Sequence, residues 1–358
     1  MRLTVAVKLV TTAEQSDALR ETLALCNEVS TWLAATGFAA GVFRQFDLHR
    51  LCYREARERF GIGACAVTKC ISKVAAAYAS SRKVAPSFSA RSAQPYNADM
   101  FSLGPDRVSI WTVRGRYKLP IAIGERQRQL LASAKGEAQL VQRRGKWFLL
   151  CPCEVTAKPA IEATDWIGAD LGIVNIAADS DGNIYSGAEV EARRSHLARR
   201  KAGLQRRGTK AAKRRLRKLS GKQRNYQTHT NHCISKALVS TAERTGRGIG
   251  LEDLKHIRAR VTAMRSQRAR LNNWAFGQLR EFIVYKAELA GVPVAIVNAR
   301  YTSQGCSCCG CIDKANRPDQ ATFSCVSCGH SEPADLNAAR NIRARAALAT
   351  PSSSRASA

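Results

Sequence analysis

The chain has 358 residues, enough to bury two or three separate cores, so it is not a mini-protein that depends on staples. Its 57 Lys and Arg against 28 Asp and Glu give a net charge of +29, and with 45% hydrophobic residues that charge sits on a folded protein rather than a tail. A polyanionic partner is implied, nucleic acid before a membrane surface, since no apolar run reaches the ~18 residues needed to span a bilayer.

The opening "MRLTVAVKLV" alternates Leu3, Val5, Val7 and Leu9 at strand spacing. It is too short, and too interrupted by Arg2 and Lys8, for a signal peptide, so the expected location is cytoplasmic and nucleoid-associated. Thirteen cysteines in a reducing compartment then read as buried small residues and metal ligands rather than disulfides. From Thr11 the period becomes helical, with Thr11 and Glu14 in capping-box relation, Leu19, Leu23, Cys26 and Leu33 on one face, and Gly37 as the stop. Two more helices are expected around Leu48 to Arg59 and Ala64 to Tyr78. Their aromatic residues Trp32, Tyr53 and Tyr78 suit core positions better than base-stacking ones.

A segment rich in proline and small polar residues follows, and then strands resume: "VSIWTV", "YKLPIAI" and a hairpin turning at Gly145. The simplest architecture is a β-barrel of residues 1–10 and 84–156, interrupted by a helical insertion over 11–83. The second half opens with "DWIGADLGIVNIAADSDGNIYSG", an apolar strand that turns at Asp181-Gly182 and returns. No acid occurs from Ala192 to Ala242, while Arg193 to Arg224 holds fifteen Lys and Arg in mostly helical composition. Then come a buried strand "GIGLEDL", a basic linker, the helix "NNWAFGQLREFIVYKAELAG", the strand "PVAIVNA" and a final helix "ADLNAARNIRARAA". Residues 346–358 read as a disordered tail. The histidines show no consistent ligand spacing.

Between the last strand and the last helix, "CSCCGC" puts four cysteines in six residues, and "CVSC" follows. Cys306, Cys309, Cys325 and Cys328 form two C-x2-C pairs with fifteen residues between them, the pattern of one tetrahedral four-thiolate zinc site. Cys308 and Cys311 compete for the first pair. The former choice is preferred because Gly310 and Gly329 each follow the second cysteine of a pair. Four thiolates leave no open position, so this zinc is structural. Chemistry has to come from elsewhere. Asp170 ends an apolar strand, Glu252 lies in another, and Asp335 opens the final helix. Carboxylates in apolar strands are costly unless paired or metal-bound, and three that converge suit two Mg2+ ions. Taken singly, each acid is equally compatible with a structural or capping role, whereas Asp253 should face the other side of its strand and Asp179 and Asp181 belong to a turn.

"GADLGIVNIA", "GIGLEDL", "WAFGQLREFIVYKAELAGVPVAIVNARYTSQGCSCCG" and "FSCVSCGHSEPADLNAARNI" resemble the RuvC-like nuclease half of the TnpB proteins of IS200/IS605-type elements, relatives of the Cas12 effectors. The resemblance covers roughly residues 165 to 343; "GAD" stands where the family more often has "GID", and before residue 165 only the architecture matches. It implies an α+β multidomain protein: a wedge β-barrel with a helical recognition insertion, a RuvC/RNase H-like α/β nuclease domain over 157–302 and 331–345, and a zinc-ribbon target nucleic-acid-binding insertion over 303–330. It implies an RNA-guided DNA endonuclease in which Asp170, Glu252 and Asp335 bind Mg2+ as the catalytic triad and Cys306, Cys309, Cys325 and Cys328 bind zinc. Its partners are a guide RNA from the element end and double-stranded target DNA beside a short adjacent motif, in a monomeric ribonucleoprotein. Within the basic run, Arg206, Arg207, Lys210, Lys213, Arg214, Arg217 and Lys218 are the expected nucleic-acid contacts. A compact Cas12-type effector would share this chemistry. A non-cleaving zinc-ribbon repressor should have lost an acid, and none is lost.

Overall fold

A computed structural model describes residues 1–254 and 276–349. The basic linker, the first residues of the following helix and most of the expected tail lie outside the described residues. The chain divides into two compact units, Met1–Thr156 and the residues from Ala157 onward.

In the first unit, β1 (Arg2–Leu9) lies antiparallel to β7 (Lys146–Glu154) along its whole length, from Arg2 opposite Glu154 to Leu9 opposite Trp147. The alternation read from the sequence sends Val5, Val7 and Leu9 inward. Around this pair stand β2 (Gln94–Tyr96), β3 (Phe101–Leu103), β4 (Arg107–Thr112), β5 (Gly115–Ala122) and β6 (Ala138–Arg143), in the order β2-β6-β7-β1-β5-β4-β3, a nearly closed, barrel-like sheet. Two of these strands, β2 and β3, arise inside the stretch that proline and small polar residues marked as a break. They are three residues each, too short for a period to register.

Three helices enter the chain after β1: α1 (Ala13–Ala39), α2 (Gln45–Phe60) and α3 (Ala64–Ser80). The cap of α1 is Thr12 rather than Thr11; its hydroxyl accepts the Gln15 N–H at 3.2 Å and the Gln15 side chain accepts the Thr12 N–H at 3.0 Å. Adjacent threonines offer equivalent hydroxyls, and glutamine serves the return bond as well as glutamate. The helix also runs through Gly37 to Ala39, because Gly37 packs against Leu48, where a Cβ would fall 2.5 Å from that side chain. Tyr78 is buried and donates its hydroxyl to the Ala34 carbonyl, while Trp32 and Tyr53 pack against the edge of the same core. A short helix, α4 (Glu125–Leu131), links β5 to β6.

The second unit is built on a five-stranded sheet: β8 (Trp166–Asp170), β9 (Asn175–Asp179), β10 (Ile184–Ser186), β11 (Gly248–Glu252) and β12 (Val294–Val297), in the order β10-β9-β8-β11-β12. β8, β11 and β12 are parallel, and β9 and β10 return antiparallel. The crossover between β8 and β11 contains α5 (Ala188–Arg207) and α6 (Lys210–Thr245); α7 (Phe276–Ala290) precedes β12, and α8 (Ala334–Ala349) ends the described chain. Helix α8 continues four residues past the expected start of the tail, carried by Ala346, which is buried against Trp166 and Ile342.

Strand alternation sorts the two faces of this sheet. Ile167, Ala169, Ile249 and Leu251 face a core shared with Leu238 of α6 and Ile283 of α7. The intervening residues face α8, and there the approach is close: a Cβ on Gly168 would lie 1.9 Å from the Ala339 carbonyl, and one on Gly250 would lie 2.8 Å from the Ala346 methyl. Glycine is required where the helix backbone rests directly on the strand.

Candidate active site and metal centre

The same period of two that places Gly168 and Gly250 under α8 carries Asp170 and Glu252 to that face as well. The parallel register pairs Ala169 with Leu251, so the two acids are neighbours one step on, at the carboxyl ends of adjacent strands. Asp335 stands in the first turn of α8, above them. The three acids, more than 160 residues apart in the chain at their extremes, thus come to one edge of the sheet.

Each carboxylate feels the others or a fixed partner. Asp170 holds its proton to about pH 8, chiefly because its surroundings are dry, then because the charges of Glu252 and Asp335 oppose its ionisation, while Arg317 pulls the other way. Burial also pushes Glu252 up, while the Thr302 hydroxyl, which donates to its Oε1, and the charge of Arg345 restrain the rise. Asp335 accepts a hydrogen bond from Asn175 Nδ2 at 2.8 Å. Three oxygen donors gathered at the open end of a sheet have the chemistry that a hard divalent cation takes, although their oxygens are not all within 4.8 Å of one another as the cysteine sulfurs are. Asp253 turns to the opposite face, where Arg280 of α7 reaches it at 3.5 Å. Asp179 caps the β9–β10 turn by accepting the N–H groups of Asp181 and Asn183.

Nothing in the residue pattern marks Thr302, Asn175, Arg317 or Arg345 as neighbours of the acids. A lone threonine in a loop, or an asparagine at the first residue of a strand, carries no spacing signal, and their partners come from distant segments.

Preceding α8 is a hairpin of β13 (Thr322–Ser324) and β14 (Ser331–Pro333). It carries a ribbon-like cluster in which the sulfurs of Cys306, Cys309, Cys325 and Cys328 all lie within 4.8 Å of one another. Cys306 and Cys328 are 3.7 Å apart and Cys309 and Cys325 are 3.6 Å apart. Sulfurs at the corners of a tetrahedron around zinc, with Zn–S about 2.3 Å, stand about 3.8 Å apart, so the donor set fits that ion. The two knuckles are built alike: Gly310 N–H returns to the Cys306 carbonyl and Gly329 N–H to the Cys325 carbonyl, both at 3.0 Å, with φ of +76° and +71°. A side chain at either position would be strained. The Cys328 N–H points at the Cys325 sulfur at 3.5 Å and is the main reason that thiol is lowered to about 6, while its neighbours in the cluster push Cys328 up. Cys308 is exposed and outside the cluster, and Cys311 packs beside it, its carbonyl accepting the Cys306 N–H.

Two asparagines tie this ribbon to α8. Asn337 accepts the Ser307 N–H and donates to the Gly305 carbonyl; Asn341, one turn on, donates to the carbonyls of Thr302 and Gly305. Their i, i+4 spacing in "DLNAARNI" is plain, yet exposed polar faces show the same pattern. The expected nucleic-acid contacts Arg206, Arg207, Lys210, Lys213, Arg214, Arg217 and Lys218 are all exposed, on the end of α5 and the first turns of α6, with a break at Gly208 and Thr209 that composition did not reveal.

Comparison with known proteins finds partial matches. Residues 150–257 match the OrfB_IS605 family model, described as a probable transposase, and residues 276–342 match that of the Cas12f1-like TNB domain. The chain is 34% identical over 218 residues to the CRISPR-associated endodeoxyribonuclease Cas12f1 of Sulfoacidibacillus thermotolerans, covering 56% of this chain and 50% of that protein. It is 36% identical over 128 residues to a TnpB-like protein of Methanocaldococcus jannaschii, covering 36% and 45%, and 27% identical over 223 residues to the putative RNA-guided DNA endonuclease InsQ of Escherichia coli, covering 57% and 54%. The chain therefore spans about half the length of the curated relatives it matches. Its fold is similar to that of Cas12f1 in a complex with single guide RNA and target DNA, with a TM-score of 0.59 at 15% identity over 93% of this chain and 83% of that one. Residues 150–257 are thus similar to the OrfB_IS605 family and residues 276–342 to the Cas12f1-like TNB domain, and the chain also resembles a TnpB-like protein and Cas12f1.

Proposed function

We propose that the protein is an RNA-guided DNA endonuclease of the TnpB type, with Asp170, Glu252 and Asp335 as the metal-binding acids of a RuvC/RNase H-like site. The observation that carries this reading is the arrival of Asp170 and Glu252 side by side at the end of adjacent parallel strands with Asp335 near, at a cost in ionisation that a bound cation would offset. The three carboxylates would hold two Mg2+ ions. Bound there, these supply activation of a water and neutralisation of the departing oxygen in phosphodiester hydrolysis. Around them, the chain's own groups orient: Asn175 fixes one oxygen of Asp335, and Thr302 fixes one of Glu252. Arg317 brings positive charge to the acids from the hairpin side. Cys306, Cys309, Cys325 and Cys328 would hold one structural zinc, which shapes the target-binding ribbon and leaves the chemistry to the acids.

The partners are a guide RNA and a double-stranded target beside a short adjacent motif, in a monomeric ribonucleoprotein working at the nucleoid. Base pairing supplies sequence, and the +29 charge supplies backbone affinity. No described helix is long and apolar enough to cross a membrane. The proposed reaction is hydrolysis rather than strand transfer, since among the described residues no tyrosine or histidine constellation offers a nucleophile for the latter. The deciding experiment copurifies the protein with its RNA, sequences that RNA, and offers a plasmid with the matched site in Mg2+. Cutting by the wild type and none by Asp170→Ala, with RNA still bound, is the expected result; cutting that survives Asp170→Ala refutes the assignment.

A further inference from the structure

The turn at Gly208 folds α5 back along α6, so that the two helices face each other along matched stripes. On α5 the facing positions are 200, 203, 204 and 207; on α6 they are 215, 218, 219 and 222. Both follow the i, i+3, i+4, i+7 spacing that normally marks the apolar seam of a helical hairpin. Here the seam is cationic. Arg200 and Arg207 stand on one wall and Arg215, Lys218 and Lys222 on the other, with Leu204 and Leu219 as the apolar floor. Gly203 leaves the α5 wall bare, since a Cβ there would meet nothing within 4 Å. All five cations are exposed, and none has a hydrogen bond or ion pair among the described residues.

Nearer the sheet the same hairpin is closed by protein. Leu197 is buried, the Arg193 guanidinium lies 4.1 Å over the Tyr226 ring, and Arg194 pairs with Glu191 at 2.5 Å. Every one of those arginines has a partner, whereas the distal five face one another across a trough. Like charges on facing helices repel, and between these walls Lys201 reaches across to Gln223 at 2.6 Å. Packed helices stand about 8–10 Å apart, so the exposed groove along their seam matches the width of one strand and is too narrow to seat a double helix.

We propose that this trough holds a single sugar–phosphate strand, its phosphates taken by cations from both walls. The proposal deepens the nucleic-acid reading and rests on it. It also redraws the interface: Arg207 and Lys218 stay within it, Arg200, Arg215 and Lys222 join it, and Arg206, Lys210, Lys213, Arg214 and Arg217 lie outside the trough.

The test compares two full-length variants of equal charge, Arg200→Gln/Arg215→Gln/Lys222→Gln in the trough and Arg199→Gln/Arg224→Gln/Lys236→Gln elsewhere on the hairpin. Binding to labelled oligouridylate, oligothymidylate and a DNA duplex is followed against salt without Mg2+, so the result stands apart from any cutting. Three lost phosphate contacts should flatten the single-strand slope of log K against log salt by about 2 units for the trough variant and by much less for the other. A loss larger for RNA or for DNA identifies which strand occupies the trough. Equal losses in both variants, or a loss as large on duplex as on single strands, overturn the proposal. So does a lower melting temperature of the trough variant without nucleic acid, since that would make the cations structural.

Discussion

Asp170 sits where folding and cation binding pull in opposite directions. An ordinary aspartate ionises near pH 4, but in the folded chain this one holds its proton to about pH 8. Between those values the folded state binds the extra proton, so stability falls as pH rises through that window. The metal-free protein should therefore melt at a lower temperature at pH 8 than at pH 5.5, and the gain on adding Mg2+ should grow over the same interval. Asp170→Asn should shrink both effects and raise the melting temperature at pH 8; a full Mg2+ response in that variant would remove Asp170 from the site. A second expectation concerns Asn337, fully buried with its amide satisfied at both ends. Asn337→Ala should cost about 1–3 kcal/mol in denaturant unfolding, because it orphans the Ser307 N–H and leaves Asn341 as the Gly305 carbonyl's side-chain donor.

The knuckles and the sheet make separable demands. If Cys306, Cys309, Cys325 and Cys328 hold zinc, metal analysis should find about one ion per chain. Cys309→Ser should lose it and Cys308→Ser should keep it, and the reverse pattern would mean the other pairing. Gly310→Ala should weaken the ribbon by about 1–2 kcal/mol through the left-handed backbone alone, with zinc still bound. Under α8 the constraint is steric rather than conformational. Gly168→Ala drives a methyl into the Ala339 carbonyl, so α8 has to lift and carry Asp335 with it. Thermal stability and cutting should fall together in that variant, with the upper end of about 1–3 kcal/mol lost.

For the chain as a whole, the excess of positive charge should make nucleic-acid affinity fall steeply with salt, with a slope near −0.7 per phosphate contact on single strands. A slope near zero would leave the +29 without a polyanionic partner. The longer elements are legible in the residue pattern by itself. The alternation of β1, the amphipathic α1 and the apolar runs of β8 and β11 all appear where that pattern puts them, because strand and helix periods are local properties of the chain. So do the four cysteines, whose spacing is a local demand of the knuckle. The three-residue strands β2 and β3 and the continuation of α1 through Gly37 are not legible, since each depends on a partner segment elsewhere in the chain, whereas the break at Gly208 is a local glycine cap followed by a Thr209 cap that composition alone passes over. The acids lie between these cases. Residue type and strand position nominate Asp170 and Glu252, but only the parallel register of β8 with β11, and the glycines that let α8 settle over them, bring a third carboxylate within electrostatic reach. The cationic trough is the extreme case: composition counts its charges, and only the folding of α5 against α6 turns a run of arginines and lysines into two facing walls.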